Sequence, residues 1–291
     1  MNIIEELCLR YDFHPDATAF LSAAYTKLEG YPEALAVFQQ QVELYRQDYV
    51  IDHKPVFQQL HALEETTGIH QNTIDLMYLI RLFPMLQELY RQKQLPERYF
   101  YGFVNNIKHS QGGGKESYGT RIGWWFIDFY KLRLFTIGRL QFRYKRFTAD
   151  TPCGDRVFPE NSYYLDVHIP GEGPLLPEAC EASYTEAAEF FRTLHEMPTV
   201  VFGCYSWLLS PDLDEILKPE SNILTFAHRY TLAEAVPDTT HSYITFAFGV
   251  SGVEDFTQLP EHSSLQRALK QRLLEGKCLN LGKGYFVYDP A

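Results

Sequence analysis

The spacing of apolar residues changes near residue 134, and this change constrains the fold more than any other feature of the chain. Before it, apolar residues recur at helical spacing. Leu35, Phe38, Val42 and Tyr45 form one stripe, Val56, Leu60 and Leu63 a second, Leu76, Ile80 and Phe83 a third, and Tyr99, Phe103 and Ile107 a fourth. Beyond it, Leu140, Phe142 and Tyr144 alternate with Arg139, Gln141, Arg143 and Lys145. Tyr163, Leu165, Val167 and Ile169 alternate in the same way with Tyr164, Asp166 and His168, as strands with one apolar and one polar face do. The two patterns call for separate layers. We therefore expect an α+β protein with a helical N-terminal domain, residues 1–133, followed by an α/β C-terminal domain, residues 134–291.

Local punctuation refines this division. His14-Pro15-Asp16, Gly30-Tyr31-Pro32, Thr67-Gly68 and Leu95-Pro96 separate successive helices, and Pro84 is expected to kink or split one of them. Gly112-Gly113-Gly114 reads as a hinge, followed by a helix carrying Ile122, Trp125, Phe129 and Leu132, with Trp124 and Trp125 read as core. The second domain opens with a strand from Phe135 to Phe147 and a second ending near Ile169. A helix with the stripe Cys180, Tyr184, Ala187, Phe191 and Leu194 and a strand from Val200 to Trp207 follow. Further on we expect a short helix at Asp212–Leu217, strands at Asn222–Leu232 and Tyr243–Gly249, a helix at Ser264–Leu274 and a last strand at Gly284–Tyr288. A strand, crossover helix and strand in succession imply a parallel pair, so the sheet is mixed.

A net charge of -11 argues against a nucleic-acid partner. The basic run of Lys131, Arg133, Arg139, Arg143, Lys145 and Arg146 reads as a solvated strand face rather than a polyanion site. Five scattered cysteines without a CxxC pair fit reduced thiols, and no zinc site is indicated. His61 and Glu65 share a helix face but lack a third ligand, and read as surface residues. Glu5 and Glu6 stand where a secretory leader would be basic, and no apolar run is long enough to span a bilayer, so the expectation is a cytoplasmic protein without a membrane partner.

Five segments carry a resemblance. Gly138-Arg139-Leu140-Gln141-Phe142, His168-Ile169-Pro170-Gly171-Glu172-Gly173-Pro174-Leu175, Pro177-Glu178-Ala179-Cys180, Cys204-Tyr205-Ser206-Trp207-Leu208-Leu209 and Ser221-Asn222-Ile223-Leu224 resemble a bacterial family of N-acyltransferases. Its members join a helical N-terminal domain to a GNAT-like C-terminal domain. The resemblance implies a GNAT-like mixed sheet flanked by helices, acetyl-CoA or another acyl-CoA as co-substrate, and a small-molecule amine as acceptor. The chain departs from the pattern twice. Tyr205 stands where the family more often carries His, and the Gln/Arg-x-x-Gly-x-Gly/Ala signature that holds the coenzyme pyrophosphate is absent.

Several residues then become candidates. Gly171 and Gly173 lie between a strand and a helix N-terminus, where free amides and the helix dipole favour an anion, although the same loop also reads as a rigid turn opened by Pro177. Asp166 and His168 share a strand face, so Asp166 is placed to orient His168 as a base for the incoming ammonium, unless the face is simply a covered polar surface. Tyr205 or Ser206 is the candidate acid for the leaving thiolate, and Arg229 a phosphate contact or an ordinary ion pair. Cys204 reads as a buried structural thiol, with a nucleophilic role as the rival. Gly112 to Ser117 fails as a nucleotide-binding P-loop, because His109 and Glu116 occupy required positions. The leading reading is an acyl-CoA-dependent N-acyltransferase. Its rivals are a ligand-binding or regulatory protein with a degenerate GNAT-like fold and a cysteine hydrolase. The acidic net charge slightly favours a cationic acceptor.

Overall fold

A computed structural model describes residues 1–109, 118–120, 123–171, 173–197, 199–250, 253 and 255–288. The proposed hinge Gly112–Gly114, the P-loop-like Gly112 to Ser117 and Glu172 lie outside them. The chain divides into two compact units, Met1–Thr136 and Ile137–Ala291.

The first unit is helical: α1 (Ile3–Arg10), α2 (Pro15–Glu29), α3 (Pro32–Gln47), α4 (His53–Thr67), α5 (Gln71–Gln92), α6 (Glu97–His109) and α7 (Gly123–Tyr130). Pro15 and Pro32 sit in the first turns of α2 and α3, where a missing N–H costs nothing. Gly68 closes α4 in the left-handed region at φ 61°. Pro84 does not split α5, which runs unbroken on both sides of it. Buried rings fill the core: Phe83 meets Phe100 and Phe103 edge-on, and Phe103 stacks on Phe129 at 4.3 Å. Each fully buried ring of this size contributes about 1.5–3 kcal/mol relative to exposure. His61 is not a plain surface residue. Its Nε2 lies 3.0 Å from the buried Asp75 carboxylate, whose pKa burial pushes up to about 6 against the opposing pull of that hydrogen bond. Trp124 does not belong to the core, being 66% exposed.

The second unit follows β1 (Leu134–Ile137), in which the division falls. It contains β2 (Leu140–Arg146), β3 (Thr151–Cys153), β4 (Arg156–Phe158), β5 (Tyr163–His168), α8 (Pro177–His195), β6 (Val200–Ser206), α9 (Leu213–Ile216), α10 (Asn222–Ala227), β7 (Thr231–Pro237), α11 (Tyr243–Phe248), α12 (Ser264–Leu274) and β8 (Asn280–Tyr288). The six-stranded sheet has the order β1-β2-β5-β6-β8-β7, and β3 pairs with β4 in a separate hairpin. β5 and β6, joined through α8, pair in parallel, while β2, β8 and β7 join antiparallel. The mixed α+β arrangement read from the sequence is therefore present.

Three strand assignments need correction. Phe135–Phe147 is two strands, because Gly138 takes φ 61° and its missing Cβ would meet Ser183 Oγ at 2.5 Å. Asn222–Leu232 begins as helix α10, capped by Ser221 Oγ accepting from the Ile223 N–H, and only Thr231 onward is strand. Tyr243–Gly249 is helix α11, which Gly249 ends at φ 70°.

The two sheet faces differ. On one, Tyr184 of α8 packs its ring against Phe142, Phe202 and Phe286 at 4.9–6.0 Å. On the other, Phe147, Phe158, Tyr164, Val201 and Tyr285 form a second apolar cluster. A third core joins α9 to α12, and Arg272 ties it to the sheet by bonding Asp212 and Glu215 while Asp212 accepts the Asn280 N–H at 2.9 Å.

Candidate active site

The strand-to-helix connection after β5 is built around an open turn. Gly173 adopts φ 74°, which favours glycine, and a Cβ added at Gly171 or Gly173 would meet nothing within 4 Å. Arg139 fixes the other side of this loop, donating from Nε to Pro174 O and from Nη2 to Gly173 O, each at 3.0 Å. With these carbonyls engaged, the loop is braced from its acceptor side. Helix α8 then starts at Pro177 with Leu176 as N-cap, whose own side chain makes no capping hydrogen bond. The amide end of the α8 dipole is therefore not occupied by a side chain of its own cap, as an anion site requires. Arg229 flanks the same helix: its Nη2 donates to Glu181 Oε1 at 3.2 Å, and its guanidinium lies 4.8 Å from the centre of the Phe286 ring. Gly171, Gly173 and Arg229 thus border the first two turns of α8, with Arg229 already engaged by Glu181.

On the sheet face away from Tyr184, cross-strand register gathers a charged group. Arg143 stands opposite Asp166, Lys145 opposite Tyr164 and Gln141 opposite His168. Asp166 is 6% exposed, and its Oδ2 receives Lys145 Nζ at 3.2 Å and His168 Nε2 at 3.1 Å, with Arg143 Nη2 at 3.6 Å. Burial alone would raise this carboxyl. The His168 hydrogen bond, together with the charges of Lys145 and Arg143, outweighs it and holds the pKa below the usual carboxylate value. Because an ionised carboxylate can only accept, His168 donates its Nε2–H to Asp166, and in the neutral form of that ring the basic lone pair is on Nδ1. The sequence reading paired Asp166 with His168. It assigned Arg143 and Lys145 to a solvated strand face, whereas the structure turns both toward Asp166. The signal was present in the polar alternation of Gln141, Arg143 and Lys145 along β2, but only the register reveals what that face meets.

β5 and β6 part company at this point. Their parallel register covers Leu165 with Phe202 and Asp166 with Gly203, yet β5 runs on to His168 and β6 to Ser206. Continuing the register puts Tyr205 at the level of His168 on the same face, with Ser206 and Cys204 on the other. Tyr205 is 56% exposed. Ser206 Oγ accepts the Leu208 N–H at 3.1 Å and caps the 3-10 turn Trp207–Leu209. The structure therefore brings Asp166, His168 and Tyr205 to one face and directs Ser206 elsewhere. Cys204 is 2% exposed, and burial raises its thiol pKa well above the ordinary value, which removes the thiolate that a cysteine hydrolase needs. Gly203 was not anticipated. A Cβ there would meet Tyr285 at 2.6 Å and Tyr164 at 2.8 Å, so the two rings lie directly over its backbone. Among the described residues no group of three side chains suits a metal ion, and no helix is long and apolar enough to cross a membrane.

Comparison with known proteins identifies the two domains. Residues 134–286 match the family described as GNAT-like C-terminal domain, and residues 2–132 match the N-acyltransferase N-terminal domain. An acyltransferase solved in complex with CoA and 10C-teicoplanin is similar over 98% of this chain and 87% of its own, at 21% identity and TM-score 0.75. An acyltransferase in complex with decanoyl-CoA is similar over 97% and 86%, at 20% identity and TM-score 0.75. A third, with decanoyl-CoA and teicoplanin, covers 98% and 99% at 21% identity and TM-score 0.64. At these identities the likeness is one of fold. No curated protein matches the chain.

Proposed function

Because the chain belongs to the family with a GNAT-like C-terminal domain, here preceded by an N-acyltransferase N-terminal domain, we propose that it transfers an acyl group from acyl-coenzyme A to the nitrogen of a small-molecule amine. The observation that carries this reading is the wedge where β5 and β6 separate. It has the uncapped end of α8 beyond it and the Asp166–His168 pair on its flank. A coenzyme whose diphosphate rests on the α8 amides and on the loop at Gly171 and Gly173 would lay its thioester along this wedge, beyond the last residues at which β5 and β6 pair with each other. Structural neighbours crystallised with CoA and decanoyl-CoA support the same donor.

The proposed chemistry uses the residues of the polar face. The acceptor arrives as an ammonium ion and gives one proton to His168 Nδ1, while Asp166 holds Nε2–H and stabilises the imidazolium formed. The amine lone pair then attacks the thioester carbonyl carbon. As the C–N bond forms and the C–S bond breaks, the Tyr205 hydroxyl protonates the departing sulfur, and one of the two protons left on the nitrogen restores the phenol while the other stays on the amide. Amide, free coenzyme thiol and the proton held by His168 balance the step. A side chain acting in this way is worth about 10²–10⁴ in rate.

Adding decanoyl-CoA at about a hundred times its Kd is expected to stabilise the protein by about 2.7 kcal/mol, and adding an amine panel to release free thiol. Absence of any stabilisation at millimolar coenzyme would refute the reading. Stabilisation without thiol release from any amine would instead favour the ligand-binding alternative, which the missing pyrophosphate signature motivates.

A further inference from the structure

Resting on that transferase reading, the charges of the site's acceptor side define the acceptor more closely. The thioester wedge separates two faces. The coenzyme's phosphates belong on the α8 side, and His168 and Tyr205 stand on the other. On that second face the next strand contributes Lys283, whose Cα is the partner of Tyr205 across β6 and β8. Lys283 stands one paired strand, about 4.8 Å, from Tyr205, and His168 lies on the same face across the wedge.

Lys283 is half-buried, and its Nζ lies 6.0 Å from the Tyr285 ring centre. Among the described residues no carboxylate forms an ion pair with it. Glu234, its cross-strand partner on β7, is exposed and does not pair with it. Asp166 cannot serve, since Lys145, Arg143 and His168 already share its Oδ2. This face therefore carries Arg143, Lys145 and Lys283 against Asp166 and Glu234, a cationic excess within a chain of net charge -11. At contact range this local sign outweighs the distant net charge, which salt screens over about 8 Å. An ammonium with no carboxylate partner among the described residues is open to a charge-assisted hydrogen bond to a bound anion.

We propose that the acceptor is an amine that also carries an acidic group, a carboxylate or a phosphate, and that Lys283 is the residue that binds that group and sets specificity. The amine then lies at His168 while its acidic end lies toward β8. This reverses the expectation of a cationic acceptor drawn from net charge alone.

Thiol release from decanoyl-CoA with matched acceptors tests the assignment: β-alanine against β-alaninamide, and phosphoethanolamine against ethanolamine. The acidic member of at least one pair is expected to show about tenfold higher kcat/KM, and the pair that does so identifies carboxylate or phosphate. Lys283→Met is expected to erase the preference by raising KM for the acidic acceptor while kcat changes little, and Lys283→Arg to retain most of it. Equal rates within both pairs overturn the proposal, as does a Lys283→Met variant that keeps the preference or that slows both members alike. If no acceptor reacts although decanoyl-CoA stabilises the protein, the acidic-acceptor assignment fails and donor binding survives. If decanoyl-CoA does not bind at all, the transferase reading fails with it.

Discussion

Replacing His168 by Gln is expected to lower kcat/KM for acyl transfer by about 10²–10⁴ while leaving decanoyl-CoA binding within about twofold. The side chain stands at the end of β5, and its Nε2 is fixed by a carboxylate that three groups hold ionised. Gln preserves a donor toward Asp166, so the local hydrogen bond survives and only the proton acceptor is lost. Single-turnover thiol release and equilibrium binding of decanoyl-CoA separate the two effects. A variant retaining more than about a third of the wild-type rate would show that the ammonium loses its proton to solvent and not to His168.

Gly282→Ala is expected to destabilise the second unit by about 3 kcal/mol or more, enough to prevent folding in a marginal background. Gly282, on β8, lies opposite Ser206 on β6 and opposite Ala235 on β7, so its strand is pinned on both edges. A Cβ at this position would overlap the Leu209 carbonyl oxygen and approach Leu209 Cβ to 2.7 Å. Backbone on a central strand cannot rotate away as a side chain would. Gly171→Ala is the control, because its Cβ enters open space. Urea unfolding followed by circular dichroism reads both variants. Similar midpoints for Gly282→Ala and the wild type would mean that the 3-10 turn at Trp207–Leu209 yields readily.

Much of this fold was legible because the decisive patterns are local. The helical stripes around Phe38, Val42 and Tyr45 and around Leu76, Ile80 and Phe83 are buried as read. The succession of β5, α8 and β6 gives the parallel pair that strand, helix and strand imply. The errors share a physical cause. In the segment from Tyr243 to Phe248 the apolar residues are too dense to set a period, and 76%-exposed Phe246 carries no sign of its exposure in the sequence. α10 was legible in principle from its Ser221 cap, but six residues are too few to overrule a β-branched and aromatic neighbourhood.

The candidate site divides in the same way. Asp166 and His168 were found because alternation within one strand places them together. Arg143 and Lys145 join them only through the β2–β5 register, and Lys283 only through β6–β8, which are pairings between segments far apart in sequence. Ser206 and Tyr205 looked equivalent as hydroxyls. The capping bond from the Leu208 N–H to Ser206 is what separates them.

The central claim is that the first turn of α8 and the loop before it receive the coenzyme diphosphate. Amide chemical shifts of nitrogen-15-labelled protein titrated with decanoyl-CoA test it directly, since Gly171, Gly173, Leu175, Leu176 and Glu178 each retain an N–H while Pro170, Pro174 and Pro177 do not. The largest shifts are expected at these amides and at the ends of β5 and β6. Saturable binding that leaves them unmoved and perturbs another region would contradict it.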